Sequence, residues 1–302
     1  MIQSIWVLPR VSMVLLWCNS RFLCTAGPVI ILISLAVRRP VIVKMFGSSL
    51  PQHLARLPRP LRAFVLSMLK RARCVLPETQ ALADELITRW HVPASRVLLF
   101  PNFVLDCDIG RRPHGKRFNG NCVFVGQIRE EKGVFDIIRV LRERKDFKCD
   151  FFGPIIERDR KMFEDQIAGN DRVRYGGVVE PSVVVDTMRA YDVLLLPTRS
   201  PGEGYPAVIL QAFAAGIPVI ASAWKSIPDV VKDGVTGILI PPGSPGSIAD
   251  TLEKLSLDGE LYSSIAENAF ARAGTFSEKA VVQDILVTKV LDILSSCSNQ
   301  EE

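Results

Sequence analysis

Histidine is scarce in this chain, with three in 302 residues at positions 53, 91 and 114. None stands at metal-ligand spacing from another, so they read as surface or locally bonded histidines and not as a metal centre. Cysteine occurs seven times, at positions 18, 24, 74, 107, 122, 149 and 297, with no C-x-x-C pair and no dense spacing. A disulfide scaffold and a zinc module are thereby excluded, and a reducing compartment is expected. Acidic residues are absent before Glu78. Long apolar runs are also lacking: the longest uncharged stretch at the start, Phe22–Val37, has 16 residues and contains Pro28. That is short of the ~20 residues a helix needs to cross a bilayer. Nor is it expected to be a signal peptide, since MIQSIWVLP has no basic start and no small-residue cleavage site follows the run. No Walker A, G-x-S-x-G or G-x-G-x-x-G motif is present.

What the chain does have is apolar bulk and an uneven charge. At 48% hydrophobic and 23% charged, with a mean hydropathy of +0.22, it can bury the core of one large domain or two ordinary ones. Disorder and low-complexity structure fall with that composition. Through Gly120 there are 17 Lys and Arg against five acids, a net of +12, which leaves −7 of the overall +5 for the remainder. A basic half and an acidic half suggest two domains, the first facing a polyanion. Nucleic acid is excluded as that partner by the absence of a zinc finger, an RNP-type motif and basic-aromatic interleaving. An anionic membrane remains. Gln52–Cys74 carries Arg56, Arg59, Arg62, Lys70, Arg71 and Arg73 among Leu57, Leu61, Phe64, Leu66, Met68 and Leu69, the pattern of a basic amphipathic stretch lying on anionic lipid.

The first 50 residues read as two buried parallel strands, Val11–Trp17 and Pro40–Lys44, joined by a helix. CVLP (Cys74–Pro77), a helix over Glu78–Trp90 and RVLLFP (Arg96–Pro101) follow. After the Pro/Gly-rich Asp108–Gly120, strands are predicted at Cys122–Val125, Cys149–Phe152, Val193–Leu196, Pro218–Ala221 and Gly237–Ile240. Helices are predicted near Val134–Arg144, Ser182–Arg189, Ala207–Ala215 and Ser247–Leu255. This alternation specifies an α/β fold with a parallel sheet, whose ligands bind at the carboxyl ends of its strands.

Two segments carry chemistry. In Val125-Gly-Gln-Ile-Arg-Glu-Glu-Lys-Gly133 a strand leads to a helix, and Arg129 and Lys132 are expected at the helix start. Cations are disfavoured there unless an anion compensates, so the pair reads as a diphosphate clamp. In Leu196–Ala221, Gly202 and Gly204 flank Glu203, so that backbone amides can approach a phosphate while the carboxylate meets a hydroxyl. Pro206 is expected in the first turn of the following helix. Asp106-Cys-Asp108 spells a metal-binding DxD, but it follows PNFVL at the exit of the first half and is read as a decoy.

The segment FVGQIREEKG resembles the frame G-R-x…K-G, with Gln127 after the glycine; Glu203–Val219 matches E-G-[FY]-[GP]…L-E-A…G-x-P-V-[IV] except at Gln211; and Asp229–Pro241 looks like E-[IV]-[IV]-x-[DH]-G-x-[TN]-G-x-L-[VI]-x, with Asp229 for the Glu. In their chain order, 124–133, 203–219 and 229–241, they resemble the C-terminal half of retaining glycosyltransferases of family four (glycosyl transferases group 1). The resemblance implies the GT-B fold, two Rossmann-like domains facing a cleft. The N-terminal domain is expected to be incomplete, because the chain lacks the family's opening strand and Gly-rich loop. The domains expected are an acceptor-side domain over 1–110, a linker over 111–120 and a nucleotide-sugar domain over 121–275. A C-terminal helix and tail over 276–302 would cross back to the first domain.

Carried onto this chain, the resemblance implies that Arg129 and Lys132 bind the donor pyrophosphate and Glu203 the donor sugar, these three being the catalytic set. Gly126, Gly177, Val178, Gly204, Tyr205, Pro206 and Gln211 complete the donor site. Gln211 replaces a Glu that grips the ribose, so charge assistance is lost there. The implied reaction transfers a sugar from a nucleotide diphosphate to an acceptor hydroxyl with retention, in cell-surface polysaccharide or glycolipid synthesis, with no metal and no cofactor. The implied partners are a nucleotide sugar, a glycan or lipid-linked acceptor and an anionic membrane surface, at a cytoplasmic location on the inner face of the plasma membrane. Two rivals stand beside this reading: a non-catalytic nucleotide-sugar-binding remnant or partner subunit, and a sugar-nucleotide epimerase.

Overall fold

The computed structural model describes residues 13–47, 49–110 and 117–289. The start of the first expected strand, most of the expected linker and the end of the C-terminal helix lie outside these. The described chain divides into two units, one running to Asn102 and resuming at Lys279, the other spanning Phe103–Glu278.

The first unit contains a parallel sheet in the order β1-β2-β3, from Val14–Asn19, Val41–Phe46 and Cys74–Leu76. The crossover from β1 to β2 consists of two helices, α1 (Ser20–Thr25) and α2 (Gly27–Ala36), rather than the single helix expected. The break comes where Gly27 and Pro28 open α2, a position at which proline is tolerated. The apolar run is thus a pair of short helices, and no helix among the described residues is long and apolar enough to span a membrane. In β2 the first five residues are all buried, as expected of a strand covered on both faces. The edge strand β1 differs, because its outward residues Leu15 and Trp17 are 42% and 53% exposed. Gln52–Cys74 also resolves into two helices, α3 (Leu50–Arg56) and α4 (Arg59–Arg71), separated where Pro58 and Pro60 interrupt the ladder. Another short helix, α5 (Gln80–Thr88), is capped by the Thr79 hydroxyl, which accepts from the Leu82 amide.

One buried charge organises this unit. Lys44, 1% exposed in β2, donates to the Phe100 carbonyl at 2.7 Å and stands 3.9 Å from the Glu78 carboxylate and 5.0 Å from the centroid of the Phe100 ring. Glu78 in turn accepts from the Gly47 amide at 2.9 Å. Burial lowers the Lys44 pKa to about 8, against the pull of Glu78.

The second unit holds six parallel strands in the order β6-β5-β4-β7-β8-β9. They are β4 (Asn121–Val125), β5 (Lys148–Phe152), β6 (Val173–Tyr175), β7 (Val193–Leu196), β8 (Val219–Ser222) and β9 (Ile238–Ile240). Numbered within the unit the order is 3-2-1-4-5-6, the doubly wound arrangement with a reversal of strand order between β4 and β7. Between the strands run α6 (Val134–Glu143), α7 (Glu157–Ile167), α8 (Val184–Met188), α9 (Ala207–Ala215) and α10 (Ile227–Val230), followed after β9 by α11 (Pro245–Leu257) and α12 (Gly259–Ala273). The core is continuous from Phe124, Phe151 and Phe163 through Leu194 and Phe213 to Tyr262 and Ile265. From Lys279 to Lys289 the chain forms a further helix with the wider π repeat.

Candidate functional site

The reversal of strand order leaves a crevice at the carboxyl ends of β4 and β7, and both chemistry-bearing segments lie there. The loop after β4 carries Arg129 and Lys132, and the loop after β7 carries Glu203. The two meet closely because Gly133 is left-handed, at φ 75°, and a Cβ on it would fall 2.3 Å from the Pro197 carbonyl oxygen. Only glycine permits that approach. The Arg199 amide then donates to the Glu131 carbonyl at 2.8 Å, and the Arg199 guanidinium bonds Asp136 at 2.8 Å and Glu130 at 3.3 Å.

Arg129 and Lys132 are not on the first turn of α6, as the sequence alone predicts. They bracket a 3-10 turn, Glu130–Lys132, with Arg129 in extended backbone and Gly133 standing between the turn and the helix. Placement at a helix start therefore does not account for the two cations; contacts across the crevice do. Lys132 Nζ donates to both Glu203 oxygens, at 2.7 and 3.0 Å, and the Thr198 hydroxyl donates to Glu203 at 2.7 Å. The side chains of Lys132 and Glu203 are 17% and 7% exposed. Arg129 Nη2 donates to the Ser200 hydroxyl at 2.9 Å, while its Nε is buried without a hydrogen-bond partner among the described residues. Glu203, Lys132 and Arg129 thus form one charged cluster at the switch point, held by Thr198 and Ser200.

Above that cluster α9 begins. Pro206 is its N-cap residue and not a first-turn proline, and no side chain caps the helix, so its orphan amides and its positive dipole end are available to an anion. Gln211 is half-buried on the same helix, and its side chain makes no hydrogen bond to another described residue. Tyr205 places its ring in the core, 5.9 Å from that of Phe276, and burial raises its phenol pKa.

Gly126 and Gly177 come together through Gly153, a residue that the sequence motifs do not single out. The Gly126 amide donates to the Phe152 carbonyl and the Gly153 amide to the Gly177 carbonyl, at 2.9 and 2.8 Å. A Cβ on Gly153 would lie 2.0 Å from the Gly126 carbonyl oxygen. The signal was present, since Val125-Gly126, Phe152-Gly153 and Tyr175-Gly176 each end a strand on glycine. Val178 next to Gly177 is 68% exposed. Thr198 and Ser200 were also missed, for lack of any local pattern. Asp106–Asp108 forms a 3-10 turn. The described cysteines are free thiols, and all but Cys107 are buried.

Comparison with known proteins places the molecule. Residues 116–272 match the family model described as glycosyl transferases group 1. The chain is 29% identical over 218 residues to the alpha-D-kanosaminyltransferase of Streptomyces kanamyceticus, covering 66% of this chain and 55% of that protein. It is 25% identical over 218 residues to the phosphatidyl-myo-inositol mannosyltransferase of Mycobacterium leprae, covering 70% and 57%. The chain thus spans little more than half the length of these relatives. Among solved structures, Anabaena HepE in complex with UDP superposes with a TM-score of 0.79 at 19% identity, over 98% of this chain and 81% of that one. A glycosyltransferase from Rickettsia africae gives 0.77 at 15% identity, over 97% and 80%. The chain belongs to the glycosyl transferases group 1 family and has the GT-B fold of two parallel-sheet Rossmann-like domains, with three strands described in the first and six in the second.

Proposed function

We propose that the protein is a retaining glycosyltransferase that moves a sugar from a nucleotide diphosphate to an acceptor hydroxyl, in polysaccharide or glycolipid synthesis. The observation that carries this reading is the Arg129, Lys132 and Glu203 cluster at the switch point, beneath an uncapped helix start. Of the three protons on Lys132 Nζ, two are used by Glu203, and the third suits a phosphate oxygen. With Arg129 and the amides of Gly204 and Tyr205 it would stabilise the charge that grows on the departing diphosphate, and such preorganised stabilisation is usually what lowers the barrier most. Glu203 would hold hydroxyls of the donor sugar, and Gly126, Gly177 and Val178 would border the base. HepE has been crystallised with UDP and with UDP-glucose, which supports a nucleotide sugar as the ligand class here. Gln211 in place of the expected Glu favours a second reading, a subunit that binds the donor without transferring it. Thermal shift with UDP-, GDP- and ADP-sugars tests the donor site: no response to any of them, or an unchanged response in Arg129→Ala/Lys132→Ala, refutes it. Release of free sugar or its transfer to an acceptor separates the enzyme from the subunit.

The basic first domain would hold the protein reversibly on an anionic membrane. On α4, Leu61 and Phe64 are 42% and 36% exposed beside Arg59 and Arg62, the mix that partitions into a headgroup region. Each cation near such a surface contributes about 1 kcal/mol, screened over roughly 8 Å at physiological salt. Binding to anionic but not neutral vesicles, weakened by salt, is expected. Equal binding to both refutes the placement.

A further inference from the structure

The loop bearing Glu203 is held from behind by a second loop. After β8 the chain runs through Ala223, Trp224, Lys225 and Ser226 into α10, and three consecutive side chains of this stretch donate to carbonyls of the loop after β7. Trp224 Nε1 bonds Ser200 O at 2.8 Å, Lys225 Nζ bonds Pro201 O, and the Ser226 hydroxyl bonds Gly204 O. In a planar trans peptide the carbonyl and the following amide point in opposite directions. Fixing Pro201 O and Gly204 O on one side therefore turns the amides of Gly202 and Tyr205 to the other. Lys225 is in the left-handed region at φ 50°, one of three such non-glycine residues described, and a long side chain is costly there. Strain of that kind persists where surrounding contacts impose it. The Lys225 ammonium also feels the Glu203 carboxylate, which offsets part of a desolvation that lowers its pKa. Residues 224–226 fall outside all three of the family frames.

We propose that Lys225 is a positioning residue of the donor site: it anchors the Pro201 carbonyl and, with Trp224 and Ser226, presents the amides of the glycine-containing loop to the diphosphate. The proposal rests on the donor-site reading. Its distinguishing consequence is opposite signs for stability and binding. Lys225→Gly removes the anchor and the backbone strain together, so its Tm should equal or exceed that of the wild type while its Kd for nucleoside diphosphate rises about tenfold, the size expected for loss of a charge-assisted hydrogen bond. Lys225→Asn, which also tolerates the left-handed region, should behave in the same way, and Lys225→Arg should stay within threefold of the wild type. The measurement is calorimetric titration of the full chain with UDP, GDP and ADP, beside thermal unfolding of each variant. If a nucleotide binds the wild type and Lys225→Gly or Lys225→Asn binds it equally well, the positioning role is wrong and the donor site stands. If Tm falls in either variant along with affinity, Lys225 is a structural residue and the proposal fails. If the wild type binds none of the three, the donor-site reading falls and this proposal falls with it.

Discussion

Lys132→Met should destabilise the second unit more than Glu203→Gln does, and the double variant should be more stable than Lys132→Met alone. Removing the Lys132 ammonium takes from the Glu203 carboxylate, 7% exposed, the cation that donates to both its oxygens, and leaves the Thr198 hydroxyl and the more weakly felt Lys225 ammonium. Stranding one partner of a buried pair costs about 3–5 kcal/mol. Lys132 at 17% exposure admits some water, which moves the expectation to the lower end, about 3 kcal/mol. Glu203→Gln keeps an acceptor oxygen for Lys132 and leaves the cation on the more open side, so about 1 kcal/mol is lost. In Lys132→Met/Glu203→Gln no charge is stranded. The cost should fall to about 2 kcal/mol, giving a coupling of about 2 kcal/mol between the two positions. Urea unfolding of the four proteins at matched m values reads these differences directly. Additivity within about 0.5 kcal/mol would refute the reasoning, since independent sites behave in that way. The double variant separates stability from function: it should fold within about 1 kcal/mol of Glu203→Gln and, on the proposed donor site, still fail to respond to nucleotide, because the cation assigned there to the diphosphate is gone.

Gly133→Ala should cost more than about 2 kcal/mol, because a Cβ there meets both a left-handed backbone and the Pro197 carbonyl oxygen at 2.3 Å; a thermal midpoint within 1 °C of the wild type would show that the two loops yield. Gln211→Glu should tighten nucleotide binding by restoring charge assistance to a ribose hydroxyl, read by titration, and weaker binding would remove Gln211 from the ribose. Stability should decline as pH rises above about 9. Burial raises Cys18 to about 12 and Cys74 to about 11 from an ordinary 9.0, and raises Cys24, Cys122 and Cys149 as well. A folded-state pKa above the unfolded one gives stability that is complete below the unfolded value and lost as pH climbs toward the folded one. Lys44, lowered to about 8, and Lys225, also lowered, act in the opposite sense up to their ordinary 10.5, but they are two groups against five cysteines. Urea midpoints at pH 8 and pH 10 check the sign, and Cys122→Ala or Cys149→Ala should flatten the decline.

What was legible in the sequence follows from how local its cause is. Strand β7 and helix α9 were predicted to the residue, Val193–Leu196 and Ala207–Ala215, because an apolar run bounded by Pro206 and Gly216 contains its own punctuation. Helix α7 escaped because ERDRKMFEDQI has no apolar stripe. Among its residues only Asp159 and Phe163 are buried, and its exposed face is supported by Arg160 with Glu157 and Glu164. Helix α12 escaped because much of its buried side is alanine, at 266, 269 and 273. Strand β6 escaped because Val173-Arg174-Tyr175 is three residues with a charge at its centre, whereas the equally short β9 is an apolar run, Ile238–Ile240. Lys44 was expected only as the last residue of a strand, Pro40–Lys44, and lies instead buried within β2. Its justification is the Phe100 carbonyl, 56 residues away in sequence, so no local pattern could announce it.

The site was half legible for the same reason. Arg129, Lys132 and Glu203 stood out by residue type next to glycine, but their partnership spans 71 positions and depends on strand order. In a sheet ordered 3-2-1-4-5-6, the loops after the first and fourth strands must face each other, since their helices leave in opposite directions from neighbouring strands. Once β4 pairs with β7, through Cys122 with Val193 and Val123 with Leu194, the turn at Glu130–Lys132 and the loop at Pro197–Glu203 have no other place to go. Gly133 then determines how close they come, and Thr198 and Ser200 determine which way the charges face. Topology therefore brings the residues together, and side chains with no motif of their own set the geometry on which donor binding would depend. Variants at Thr198, Ser200 and Lys225 test that division more sharply than variants at the motif residues, because they leave every charge of the motif in place and change only its orientation.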